Sequence, residues 1–163
     1  KVDDPILKPV RTIYPEFESH ELDYEMFAGL VIMQLRENHF ERFSPEVLSL
    51  HLKELRSYTY EENHIKEALI ITAVLPGSRA DLSECFLPGS IIDTVNSEKV
   101  KTLEQLREAL KKSISTKEIA FTLKDGPSTV LSFPKVLEEE PILSMNFKYP
   151  LTQTIKNLIK RMS

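Results

Sequence analysis

The chemistry of this sequence concentrates in one short stretch, Met26-Phe27-Ala28-Gly29-Leu30-Val31-Ile32-Met33. A glycine between an aromatic residue and an apolar strand lets the backbone bend so that consecutive N–H groups converge. Such a concave cluster of donors holds an anion, and a terminal carboxylate has the right size and charge. A peptide caught there could extend along Leu30 to Met33 as an added strand, with backbone bonds supplying affinity and side-chain pockets supplying choice. The same glycine also fits a plain turn before a strand, and the stretch alone leaves both readings open.

Other reactive groups are sparse. His20, His39, His51 and His64 form no His-Glu-x-x-His pattern, and His51, on the apolar face of a helix, reads as a residue at the edge of the core. Ser83 and Ser90 stand in no Gly-x-Ser-x-Gly elbow, so no Ser-His-Asp triad is anchored and this chain should be inactive as an enzyme alone. Pro76-Gly77-Ser78-Arg79 has one glycine, enough for a turn and too few for a phosphate loop. The single Cys85 excludes an internal disulfide and a Cys-rich metal framework, and reads as a small buried residue. No metal and no cofactor is expected.

Lys plus Arg at 21 against Asp plus Glu at 25 gives a net charge of −4, which provides no basic field to attract nucleic acid or anionic lipid. No apolar run approaches the roughly 18 residues that span a bilayer. The start at Lys1-Val2-Asp3-Asp4 carries no signal-peptide series and suggests a piece of a longer chain.

Several elements must position the glycine stretch. Residues 1–25, with Pro5, Pro9 and Pro15, read as an extended lead-in or interdomain linker. Leu30 to Leu35 is a strand that is apolar on both faces. Ser44-Pro45 starts a helix of about three turns carrying Val47, Leu48, His51, Leu52 and Leu55 on one face. Tyr58 to Lys66 reads as a loop before the strand Ala68–Val74, and a short helix follows Ser78. Pro88-Gly89-Ser90 turns the chain into the strand Ile91–Val95, and Asn96-Ser97 is a further turn. Thr102 to Gln105 has the spacing of a capping box, and Leu103, Leu106, Ala109 and Leu110 give the helix that follows one apolar side. Ile119–Lys124 and Thr129–Phe133 alternate around Asp125-Gly126, a hairpin signal. Glu138 to Glu140 reads as a solvated linker before Pro141, and a last helix from about Pro150 has Leu151, Ile155, Leu158 and Ile159 on one side. This order predicts an α+β fold around an antiparallel sheet.

The run from Ala68-Leu69-Ile70-Ile71-Thr72-Ala73-Val74-Leu75-Pro76-Gly77-Ser78-Arg79-Ala80 through Leu87-Pro88-Gly89-Ser90-Ile91-Ile92-Asp93-Thr94-Val95-Asn96 to Thr102-Leu103-Glu104-Gln105-Leu106 closely resembles a PDZ domain of the HtrA/Deg serine proteases. It is most similar to the second, C-terminal PDZ domain of plant-type Deg proteases. The family's "V-x-P-x-S-x-A" segment corresponds to Val74 through Ala80, while its Gly-Asp and Asn-Gly turns are Gly89-Ser90 and Asn96-Ser97 here.

The resemblance implies a PDZ-like, partly open antiparallel barrel or sandwich over residues 26–137, with two flanking helices and a helical insert at about 38–66. A C-terminal extension with an amphipathic helix would follow over 138–163. It places a carboxylate-binding loop at Phe27, Ala28, Gly29 and Leu30, a groove strand at Val31, Ile32 and Met33, and a groove helix at Leu103, Leu106 and Leu110. The implied partners are C-termini of peptides or unfolded proteins in protein quality control, or sister subunits of a Deg-type oligomer. The parent chain would be a serine endopeptidase of a chloroplast, nuclear or bacterial compartment. The alternative is a structural assembly module whose groove is filled by its own or a neighbouring chain, the insert or the tail being the candidate occupants.

Overall fold

The computed structural model describes residues 22–163, so the proline-bearing part of the expected lead-in, with His20, lies outside the described residues. The chain forms β1 (Glu25–Phe27), β2 (Leu30–Gln34), α1 (Glu37–Phe40), α2 (Pro45–Leu50), α3 (Lys53–Ser57) and, after a 3-10 turn at Glu61–Asn63, β3 (Leu69–Val74). It continues through α4 (Arg79–Leu82), β4 (Ile91–Val95), β5 (Glu98–Lys99), α5 (Leu103–Thr116), β6 (Glu118–Leu123) and β7 (Ser128–Ser132). Helices α6 (Phe133–Phe147) and α7 (Gln153–Met162) close it.

The expected α+β architecture is present: a seven-stranded antiparallel sheet in the order β1-β2-β3-β4-β6-β7, with β5 paired to β4. The sheet is open rather than closed into a barrel, with β1 and β7 at its ends. The Asp125-Gly126 hairpin pairs Ile119 with Leu131 and Phe121 with Thr129, and the alternation of β6 puts Ile119, Phe121 and Leu123 into the core.

Strands that are apolar on both faces need cover on both faces. Along β3, Leu69 and Ile71 join the main core, under α4, α5, α6 and α7, while Ile70 between them points to a second cluster. That second cluster is the work of the insert: Leu55 and Tyr58 pack with Leu35, Ala68, Ile70 and Ile91, flanked by Phe40, Phe43, Leu48 and Leu52.

The insert departs from expectation in one respect. Leu52, at φ −123 and ψ 51, interrupts the helix begun at Pro45, so two short helices replace one. His51 therefore caps the C-terminus of α2 as an exposed residue and is not at the core edge. Ser44 does cap α2, accepting from the Val47 N–H.

Thr102 accepts from the Gln105 N–H as its spacing predicts, but Gln105 Oε1 reaches back one residue further, to the Lys101 N–H. The Glu138–Glu140 run is no linker: it is the middle of α6, which also runs unbroken through the expected domain end at 137. The apolar side of α7 is covered by its own domain, with Ile155 and Leu158 buried in the main core beside α5 and α6.

Candidate functional site

Phe27 pairs with Leu30, so Ala28 and Gly29 alone close the hairpin between β1 and β2. Both have positive φ, 57° and 87°, as a type I′ turn requires to match the twist of its strands. Gly29 has a second reason to be glycine, because a Cβ there would lie 2.1 Å from the Ser78 side chain. Ser78 is buried and caps α4, accepting from the Asp81 N–H, so it cannot retreat cheaply. The turn carbonyls are also bound: Ala28 accepts from the Ala80 N–H at 3.0 Å and Gly29 from the Leu75 N–H at 2.8 Å. Phe27 anchors the entry to the turn with its ring between those of Phe121 and Phe133, at 6.2 and 5.7 Å.

The Ala28 N–H donates to a carboxylate, and that carboxylate belongs to the same chain: Glu140 Oε1 accepts at 2.6 Å. Glu140 is fully buried, and the Tyr149 hydroxyl approaches its other oxygen at 3.5 Å. Burial pushes the Glu140 carboxyl up to about 7, against the pull of the Ala28 N–H and of Tyr149; the nearby Glu25 and Glu139 push the same way as burial. Tyr149 is raised in turn by its burial and by Glu140. The neighbouring Glu139 receives two bonds from Arg79 Nε and one, at 2.6 Å, from its Nη2, which ties α6 to α4 beside the turn.

Along β2, Leu30 and Ile32 are buried in the main core, while Val31 and Met33 are half-buried and Met33 packs against the insert cluster. Leu103, Leu106 and Leu110 of α5 are all buried in the main core. Both edges of β2 are paired, to β3 on one side and to β1 on the other.

Strand β1 is itself held from α5. Arg107 donates from Nε to Glu25, from both Nη to Asp23, and from Nη2 to the Tyr24 carbonyl. Asp23 and Glu25 hold its guanidinium above the usual arginine range. Glu25 is fully buried and takes a further bond from Thr152 Oγ1, the residue that caps α7.

The sequence matches the family model of the PDZ domain over residues 14–150, and a sheet whose second strand follows an Ala-Gly turn, with a short helix after Ser78 and a long helix after Thr102, is consistent with that fold. The chain is a PDZ domain. As such it belongs to a family of peptide-binding and protein-interaction modules. Comparison with curated proteins gives no match. Among the described residues, this PDZ domain holds no group of three His, Cys, Asp or Glu able to bind a metal, and no helix long and apolar enough to cross a membrane.

Sequence reading missed Glu25, Arg107 and Glu140. Only Glu140 left a local trace: it shares helical spacing with the buried Val136, Leu137 and Leu143, a pattern hidden by the two glutamates before it and the proline after it.

Proposed function

We propose that this PDZ domain serves an HtrA/Deg-type serine protease as an assembly module, joining subunits with its peptide groove already filled by its own chain. The carrying observation is the pairing of Glu25, Met26 and Phe27 with Ile32, Val31 and Leu30. A ligand adding to β2 would need that edge. In this reading Phe27, Ala28, Gly29 and Leu30 are the carboxylate loop, Val31, Ile32 and Met33 the groove strand, and Leu103, Leu106 and Leu110 the groove helix. The occupant is the Glu25-Met26 part of β1, rather than the insert or the tail, and Glu140 supplies the carboxylate. The Arg107 bonds to Asp23 and Glu25 support the same reading, because they clamp β1 from the helix side. The assignment to HtrA/Deg rests on the ordered motifs from Ala68 to Leu106.

Titration of the chain with a library of C-terminal peptides, each as free acid and as amide, tests this reading. It expects no saturable binding of either form. Binding of acids but not amides would overturn it in favour of a domain that captures substrate C-termini with β1 displaced. A His, Asp and Gly-x-Ser-Gly series upstream in the full gene is expected for a protease parent.

A further inference from the structure

Helices α5 and α7 pack side by side and leave an open cleft of about 600 Å³. Arg107 and Lys111 line it from α5, and Gln153, Asn157, Lys160 and Arg161 from α7. Among the described residues, four cations and no carboxylate line this cleft, in a chain whose net charge is −4. The concentration of positive charge is therefore local and does not follow from composition.

These cations are not equally committed. Arg107 is engaged by Asp23 and Glu25, and Lys111 meets Glu108 at 2.6 Å in an exposed pair worth little. Lys160 and Arg161 are exposed and form no ion pair among the described residues. Asn157 Oδ1 accepts from Gln153 Nε2 at 2.9 Å, which leaves the Asn157 amide group as a further donor in the cleft.

We infer that the α5–α7 cleft is a docking site for an extended acidic segment of a partner protein, separate from the groove at β2. Guanidinium, ammonium and amide donors together fit carboxylates, which accept charge-assisted bonds. Among the described residues no aromatic side chain lines the cleft to stack a base, which counts against single-stranded nucleic acid. The chain displays the chemistry itself at one end of the cleft, where Arg107 holds Asp23 and Glu25 of an extended segment and the carbonyl between them. Carboxylates at alternate positions of such a segment share one face about 7 Å apart. A partner segment of the same pattern would continue that contact onto Lys111, Lys160 and Arg161.

A short fluorescent peptide with Asp or Glu at alternate positions, amidated at its C-terminus so that no terminal carboxylate is present, is titrated against the whole chain and followed by anisotropy. The expected result is binding that weakens as salt rises and falls by about tenfold in K160E/R161E. Both side chains are exposed but stand in the last turn of α7, so a melting curve of the variant is taken beside the titration to separate lost docking from lost folding. Equal binding by the double variant, or by the peptide with Asn and Gln in place of Asp and Glu, would overturn the inference. So would K160E/R161E-sensitive binding to phosphatidylserine vesicles with none to the peptide, which would make the cleft a lipid-surface contact. The outcome is independent of whether the groove at β2 is filled.

Discussion

Ala28 gives its backbone N–H to the side chain of Glu140, 112 positions later in the sequence. The turn thus holds a fully buried glutamate of its own chain. The bond carries consequences for stability that can be measured by pH.

The Glu140 carboxyl has a folded value of about 7 against 4.5 for the free group, so between these limits the native state binds a proton that the unfolded state has lost. Its contribution to stability is therefore fully present below about 4.5 and falls as pH rises towards 7. His39 runs the other way: burial, then Arg36 and Arg42, lower it from 6.5 to about 4, so its contribution is lost as pH falls between those values. Across their shared window the two slopes oppose, and the parent should show little pH dependence from this pair. Glu140→Gln keeps an acceptor for Ala28 and removes one slope. Its denaturation midpoint should then drop on acidification from pH 6.5 to 4.5 by the equivalent of about 2–3 kcal/mol, and lie above the parent's at pH 8. Parallel profiles for parent and variant would refute the assignment.

Gly29→Ala places a Cβ 2.1 Å from Ser78 in a backbone with φ +87. Strain and overlap together should cost about 4 kcal/mol, lowering the melting temperature by roughly 8–16 °C. Gly77→Ala is the control: it has φ +74 but nothing within 4 Å of the new atom, and should cost only about 1 kcal/mol. Calorimetry of the two variants separates close approach from backbone strain.

Arg107→Ala leaves the fully buried Glu25 with Thr152 alone and should destabilise by about 2–3 kcal/mol. Asp23→Ala removes a partner that is 66% exposed and should cost less than about 1 kcal/mol. Combining Arg107→Ala with Glu25→Gln should recover part of the loss, because the charge left unpaired is gone. Strict additivity in chemical denaturation would mean that Arg107 does not hold β1 through Glu25.

Leu55→Ala opens a cavity in the cluster between the insert and the outer face of the sheet, where Leu55 is 1% exposed, and should cost about 2–4 kcal/mol. Leu50→Ala, at a side chain 70% exposed, should change stability by less than about 0.5 kcal/mol. Similar losses at the two positions would mean that the insert is not cover for the sheet.

Strands β2, β3, β4, β6 and β7 and the β6–β7 hairpin were legible because their signals are local: alternation along β6, the Asp125-Gly126 turn, the apolar run of β3. The helix α5 was legible for the same reason, with Thr102 as its cap. What failed to read was whatever depends on a distant partner. Strand β1 is charged at Glu25 and acquires a buried position only because Arg107 and Thr152 meet it. Glu140 can be buried only because an N–H from Ala28 is waiting, and without that knowledge three glutamates before a proline look like solvated chain. The turn could be located at Ala28-Gly29, whereas the carboxylate that fills it could not.

The bonds that close the molecule, Ala28 to Glu140 and Glu25 to Thr152, span 112 and 127 positions. On a ribosome adding about 5–20 residues per second, Glu140 follows Ala28 by roughly 6–22 s, whereas a hairpin closes in microseconds. A nascent chain thus exposes the turn for seconds before its own glutamate is synthesised. During that interval the Ala28 N–H has only water or a stranger's carboxylate to bind, and it is the synthesis of Glu140 that takes the choice away.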